Sequence, residues 1–279
     1  MRYDLVDRHY PLEPDPAFRR RAAWMLAQLE GLPPGAHVLD IGCGQGFYLP
    51  LYAALGLVAT GVELDPIPRA AAERKAAANG FTILDAPAES LPVPDAHFDA
   101  VVMSEVLEHL PDPAPALAGV ARVLQPGGLV LATVPNADYP LAWDPLNWVL
   151  EALRLPPVRK GLFSGIWANH ERLYRPDLLS TQIAAAGLTP GPVIRQTRWC
   201  LPFTHNIVYG FGRALLEGGI LPERWTAGGL RGGAEATPKP KLLNPIAWAV
   251  GLIRLVDRLN GDAQAKGPSQ NLCITARKP

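Results

Sequence analysis

Cysteine is scarce in this 279-residue chain: Cys43, Cys200 and Cys273 are too few and too scattered for a disulfide framework or a zinc site. That usage fits a reducing, cytoplasmic compartment. An excess of one charge is also missing, because 26 Lys and Arg balance 26 Asp and Glu. Neutrality gives no electrostatic reason to expect a nucleic-acid partner. The short basic run Arg19, Arg20, Arg21 reads most simply as a solvated helix face. No uncharged apolar run approaches the roughly 20 residues that a spanning helix needs. The longest candidate, Leu242 to Ile253, is bounded by Lys241 and Arg254 and interrupted by Pro245. It could lie on a membrane surface but should not cross one. The opening stretch MRYDLVDRHYPLEPDP has no apolar core of a secretory signal, so none is expected. No internal repeat is visible.

What is present is apolar: 48% hydrophobic against 19% charged residues marks a core-rich globular chain. Ala17 to Leu29 has helical spacing and stops at Gly31. HVLDIG, ATGVEL, FTILDA, FDAVVMS and LVLATVP read as five strands. DPIPRAAAERKAAANG reads as a helix capped by Asp65, with Pro66 in its first turn and Gly80 as its stop. Another helix is expected over 113–124. Strands alternating with helices predict an α/β fold with a doubly wound, mostly parallel sheet. RPDLLSTQIAAAGL then predicts a helix, a strand follows around 192–197, and NLCITARK predicts a closing strand. The organisation expected is one domain over 1–279. It has a cofactor-binding core at 17–136, a capping insertion at 137–172 and a second insertion at 198–268. The second contains a glycine-rich, mobile stretch, TAGGLRGGAEATPKPK.

DIGCGQG, Asp40 to Gly46, lies between the first strand and a helix. Ligands of open parallel sheets bind beyond the carboxyl ends of the strands, near the switch point. Glycines there admit close backbone approach and positive φ. The spacing is G-x-G-x-G rather than G-x-G-x-x-G, which speaks against a dinucleotide and hence an NAD-dependent oxidoreductase. Glu63, ending the second strand, is placed to accept two ribose hydroxyls.

VLDIGCGQG, GVELD, AESLPVPDAHFDAVVMSEVLEHLPDP and LQPGGLVLATVPN together resemble the class I S-adenosylmethionine-dependent methyltransferases. The resemblance spans about 36–136 and 170–197 and takes in the last strand. It implies a seven-stranded Rossmann-like fold and S-adenosyl-L-methionine as cofactor. Asp40, Gly42, Gly44 and Gly46 would surround the methionine part, Glu63 would hold the ribose and Leu64 would pack on adenine. Relatives often carry an Asp just before Ala-Glu-x-Leu-Pro; this chain has Pro87 there. Asp85 or the Ala88 backbone would then meet the adenine amine. Ser104 borders the cofactor.

SEVLEHL, 104–110, allows three readings. On a helix, Glu105, Glu108 and His109 would share one face. The run could simply close the fourth strand, as in many methyltransferases of this class. It also resembles the motif of ubiquinone-pathway and small-RNA 2′-O-methyltransferases. That resemblance implies Glu105, Glu108, His109 and His170 around a divalent metal ion of the Mn²⁺ or Zn²⁺ kind. In the third reading, His109 or His170 is a metal-free general base.

Six of the seven tryptophans lie at or beyond position 143. An aromatic cap favours a large apolar acceptor, a lipophilic small molecule or a lipid-linked one. Leu146, Val149, Leu150 and Leu153 form one helical stripe. Leu243, Ile246, Val250, Ile253 and Val256 form another. Ordinary core is the first account of such stripes; peripheral docking on a membrane interface is the second. The expected reaction is O-methylation. C-methylation of a similar acceptor and a non-catalytic methyltransferase-like binding module are the alternatives.

Overall fold

Alternation of apolar side chains across each strand builds the sheet and both of its faces. The computed structural model describes residues 1–161, 163–204, 206, 244–261 and 267–279. Its strands are β1 (His37–Ile41), β2 (Val58–Val62), β3 (Thr82–Leu84), β4 (Phe98–Ser104), β5 (Leu124–Pro135), β6 (Thr189–Pro190), β7 (Ile194–Gln196) and β8 (Asn271–Arg277). The order is β3-β2-β1-β4-β5-β8-β6, with β7 also paired to β8. Strands β1 to β5 pair in parallel, and β8 runs antiparallel to β5, β6 and β7. The order reverses between β1 and β4, and ligands of such sheets bind beyond the strand ends at that point.

Leu39, Ile41, Val101 and Met103 point to one face, and Val38, Ala100 and Val102 to the other. Helices α5 (Ala114–Val123) and α7 (Pro176–Ala185) cover the first face with Leu117, Val120, Leu179 and Ile183. Helices α1 (Tyr3–His9), α2 (Pro16–Leu29), α3 (Leu49–Ala54) and α4 (Pro66–Asn79) supply the second, with Val6, Phe18, Met25, Leu51 and Ala76. Burial on both faces is why these strands are nearly all apolar. Local chemistry sets the helix ends. Asp15 accepts from Ala17 N at 2.9 Å ahead of Pro16, and Asp65 accepts from Ile67 N at 2.9 Å ahead of Pro66. Gly80 closes α4 at φ +70°.

The structure departs from the sequence reading at four places. The edge position expected as one strand holds two, β6 and β7, because Pro190 and Pro192 lack ladder donors. Residues 105–109 form turns, not a helix; Glu105 takes φ +57° and His109 N donates to Val106 O at 3.0 Å. The arginine run is not a solvated face, since Arg20 and Arg21 are 5% and 6% exposed. Arg20 pairs with Asp257 and donates to Asp257 O at 2.7 Å and Gly261 O at 2.6 Å. Arg19 binds Asp7 at 2.7 Å and Asp257 at 3.2 Å. These arginines clasp α8 (Pro245–Asp257) to the N-terminal helices.

The fourth departure concerns the apolar stripes. In α6 (Pro145–Ala152) the inward residue is Asn147, while Leu146, Val149 and, just beyond the helix, Leu153 are exposed and Leu150 is half-buried. In α8 Val250 is buried and Ile246, Ile253 and Val256 are half-buried. Trp248, Leu252, Leu255 and Leu259 face outward instead. Leu243 and the glycine-rich stretch 226–241 lie outside the described residues, as does most of the span 198–268. No described helix is long and apolar enough to cross a membrane.

Candidate active site

The glycine loop leaves β1 and turns back over its end. Gly42, Gly44 and Gly46 all have positive φ, at +67°, +55° and +70°. A Cβ on Gly42 would meet Val106 Cγ2 at 2.7 Å, and one on Gly46 would meet Leu49 Cδ1 at 2.7 Å, whereas one on Gly44 would meet nothing within 4 Å. Two glycines therefore serve packing, and the middle one borders open space where a ligand can approach the backbone. Asp40 is buried beneath the loop, and burial pushes its carboxyl up to about 7.

Glu63 stands beside this loop at the end of β2. Its Oε2 accepts from Gly44 N at 2.8 Å and its Oε1 from Asp65 N at 2.9 Å. The carboxylate thus ties the loop to the start of α4, and each oxygen retains a lone pair for a further donor. Leu64 is 58% exposed beside it. Asp85 is held by Arg69 at 2.5 Å, and Arg69 also donates to Leu64 O at 3.0 Å. Ala88, following Pro87, is half-buried on the adjoining loop.

Ser104 ends β4 and hydrogen-bonds with Tyr48 Oη at 3.0 Å and Thr133 Oγ1 at 3.2 Å. Thr133 donates to Glu105 Oε1 at 2.9 Å, and Asn271 Nδ2 to both Glu105 oxygens at 3.1 and 3.0 Å. Arg21 adds an ion pair to Glu105 at 3.5 Å. Glu105 is therefore an anchor joining β4, β5, β8 and α2. It is not grouped with the other candidate metal ligands.

Those others do come together. Glu108 is fully buried, and neither of its carboxyl oxygens has a hydrogen-bond partner among the described residues. His109 Nε2 and His170 Nε2 both lie 3.9 Å from Glu108 Oε1. The two imidazoles meet edge to face with centroids 4.8 Å apart. His109 Nδ1 is 2.9 Å from Asn169 O, which fixes the ring across the turn. Glu108, His109 and His170 each offer a ligand atom within 4.8 Å of the other two. Burial, and then the charge of Glu105, raises the Glu108 carboxyl well above the usual range. A cation among the three would reverse that direction, so the donor set suits a borderline divalent ion.

Sequence reasoning missed Tyr48, Thr133, Asn271, Arg21 and Lys75. Thr133 was findable in principle, because it sits opposite Ser104 across β4 and β5. Lys75 donates to Gln45 O at 2.7 Å and holds the glycine loop from α4, with burial lowering its ammonium to about 8. No spacing rule links it to that loop.

Comparison with known proteins follows the same lines. The family described as a methyltransferase domain matches residues 39–132. The chain is 33% identical over 200 residues to the demethylmenaquinone methyltransferase of Thermus thermophilus, covering 67% of this chain and 88% of that protein. It is 29% identical over 169 residues to the ubiquinone biosynthesis O-methyltransferase of Pseudomonas fluorescens, covering 58% of this chain and 68% of that one. Among solved structures, a SAM-dependent methyltransferase from Archaeoglobus fulgidus aligns over 100% of both chains with TM-score 0.53 and 18% identity. The 4+2 cyclase SpnF aligns over 94% of this chain and 82% of that one, with TM-score 0.56 and 21% identity. At such identities the structural likeness concerns the fold alone.

Proposed function

Since the chain belongs to the class I S-adenosylmethionine-dependent methyltransferases, we propose that it transfers the methyl group to a hydroxyl oxygen of a lipophilic, quinone-like small molecule. The observation that carries this reading is the buried Glu108 with two imidazoles facing it. A hydroxyl acceptor needs its proton removed, and an imidazole within reach can take it. Two relatives, one named for ubiquinone biosynthesis and one a demethylmenaquinone methyltransferase, give the acceptor class its direction.

In this reading the ends of β1, β2 and β4 would hold S-adenosylmethionine. The open backbone at Gly44, with Gly42, Gly46 and Asp40 behind it, receives the methionine part. Glu63 accepts from the ribose hydroxyls with the lone pairs that Gly44 and Asp65 leave, and Leu64 covers the adenine. Because Arg69 engages Asp85, the Ala88 backbone is the better partner for the adenine amine. Ser104 closes the floor. The sulfonium is already activated, so the protein's work is to align the nucleophile and handle one proton. Bound there, S-adenosylmethionine would supply its methyl group to the acceptor oxygen, with S-adenosylhomocysteine as the leaving product. His170 or His109 takes the hydroxyl proton.

Glu108, His109 and His170 would also fit a divalent ion, since a Glu108 carboxyl without a hydrogen-bond partner among the described residues is otherwise costly to bury. Such an ion, when bound, lowers the pKa of a ligated hydroxyl. The test is turnover of methyl-labelled cofactor with a prenylated catechol, wild type against His170→Gln. Turnover should fall by about 10²-fold or more, the usual share of a general base, while cofactor affinity holds. Unchanged turnover would remove His170 from the reaction.

A further inference from the structure

Helix α6, in the segment between β5 and α7, presents its apolar side outward. Beside the buried apolar cluster of Tyr139, Trp143 and Ile166, helix α6 turns a polar side inward: Asp144, its cap, is 1% exposed and Asn147 is fully buried. Asp144 Oδ2 accepts from Asn147 Nδ2 at 2.7 Å and from Ile166 N at 3.0 Å. Asn147 also donates to Ser164 O at 3.0 Å and accepts from Val158 N at 2.7 Å. These bonds lock α6 down by its polar side. The opposite side carries Leu146, Trp148, Val149 and Leu153, exposed by 38%, 41%, 44% and 65%. Leu146, Val149 and Leu153 stand at i, i+3 and i+7, one helical face.

Within the described residues of 139–164 the exposed charges have one sign. Residues 139–164 contain two acids. Asp144 is consumed in the polar interior, and Glu151 turns to Tyr139 Oη at 2.8 Å and Trp167 Nε1 at 2.6 Å. Arg154, Arg159 and Lys160 are all exposed. The exposed surface of the described residues in 139–164 is thus apolar and cationic, with no exposed acid among them. A second copy of the same face would set like charges together in a two-fold contact. An anionic bilayer matches both properties, with Trp148 suited to the headgroup level. We propose that α6 and the following residues to Lys160 dock the protein on an anionic lipid surface. The site is close by: Trp167, bonded to Glu151 of α6, accepts at its carbonyl from His170 N at 3.3 Å. Docking here would bring a membrane-dissolved acceptor to the histidine pair, so the inference deepens the lipophilic-acceptor reading and rests on it for its purpose.

Flotation of the full chain with two vesicle types tests this: phosphatidylcholine alone, and phosphatidylcholine mixed with phosphatidylglycerol. Wild type should float with the mixed vesicles, weakly with the neutral ones, and less in high salt. Arg154→Gln with Lys160→Gln should weaken binding about 25-fold, at about fivefold per cation. Val149→Ser with Leu153→Ser should abolish flotation. Calorimetry with S-adenosylhomocysteine on all three proteins should give equal affinities, which excludes misfolding. Cofactor binding without flotation, flotation indifferent to lipid charge, or flotation unaltered in both variants would each overturn the proposal. So would a solution dimer that only the Val149/Leu153 variant dissolves. Flotation as expected, with a tail-less catechol methylated as well as a prenylated one, would support the docking surface and sink the lipophilic-acceptor reading alone.

Discussion

Replacing Glu108 by Gln separates a metal-binding carboxylate from a structural one. The side chain is fully buried, its oxygens lack hydrogen-bond partners among the described residues, and Oε1 sits 3.9 Å from each imidazole Nε2. Without an ion, burial and the nearby Glu105 hold the carboxyl protonated well above its ordinary pKa. Gln is then a near-isosteric neutral replacement, and metal-free stability should change little. With an ion, the carboxylate is the only anionic donor of the three. Mn²⁺ or Zn²⁺ at about 100 times its Kd should stabilise wild type by about 2.7 kcal/mol. For a chain of this size that raises Tm by roughly 5–10 °C. If losing the carboxylate weakens the ion about 100-fold, as large as the effect of losing a good outer-shell partner, the same concentration gives Glu108→Gln about 0.4 kcal/mol. The shift would shrink to roughly 1–2 °C. Glu105→Gln should keep the wild-type shift, because Glu105 is spent on Thr133, Asn271 and Arg21. Thermal unfolding with and without metal at matched ionic strength reads all three. No shift in wild type, or equal shifts in wild type and Glu108→Gln, would refute the reasoning.

Three further outcomes follow from the same structure. Glu63→Ala should weaken S-adenosylmethionine binding by about 1.5–3 kcal/mol, roughly 10- to 150-fold, through loss of a charged acceptor; calorimetry within twofold of wild type would remove the ribose assignment. Asp257→Ala strands Arg20 in a buried site and should cost about 3–5 kcal/mol in urea unfolding, with Arg20→Met/Asp257→Leu recovering most of it; a double variant weaker than the single would contradict the clasp. Asp40, raised from 3.8 to about 7 by burial, contributes stability that is complete below the lower value and lost as pH rises through the upper one. Asp40→Asn should therefore gain on wild type by up to about 4 kcal/mol between about pH 4 and 8; parallel stability curves would show the carboxyl is not shifted.

Local chemistry was legible and long-range chemistry was not. FDAVVMS is the strand β4 it reads as, and Asp65, Pro66 and Gly80 cap α4 as their types dictate. Such features depend on neighbours within a few positions. SEVLEHL has helical spacing on paper, but the chain leaving β4 takes positive φ at Glu105 and folds into turns. That sends Glu105 to Asn271 and leaves Glu108 with the histidines. The stripe of α6 shows how periodicity identifies an apolar face without saying which way it points. The direction was set by Asn147 reaching Val158 and Ser164, partners 11 and 17 residues away. The arginine run was misread for the same reason, since the acid that buries Arg20 lies 237 positions away.

The central claim is that methyl goes to a hydroxyl oxygen beside Glu108, His109 and His170. The most direct test is the position of the label after reaction of carbon-13 methyl S-adenosylmethionine with a prenylated catechol. Carbon NMR of the product should show a methoxy carbon, formed by wild type and lost in His170→Gln. A label on a ring carbon, or a methoxy product formed equally well without His170, would contradict the account.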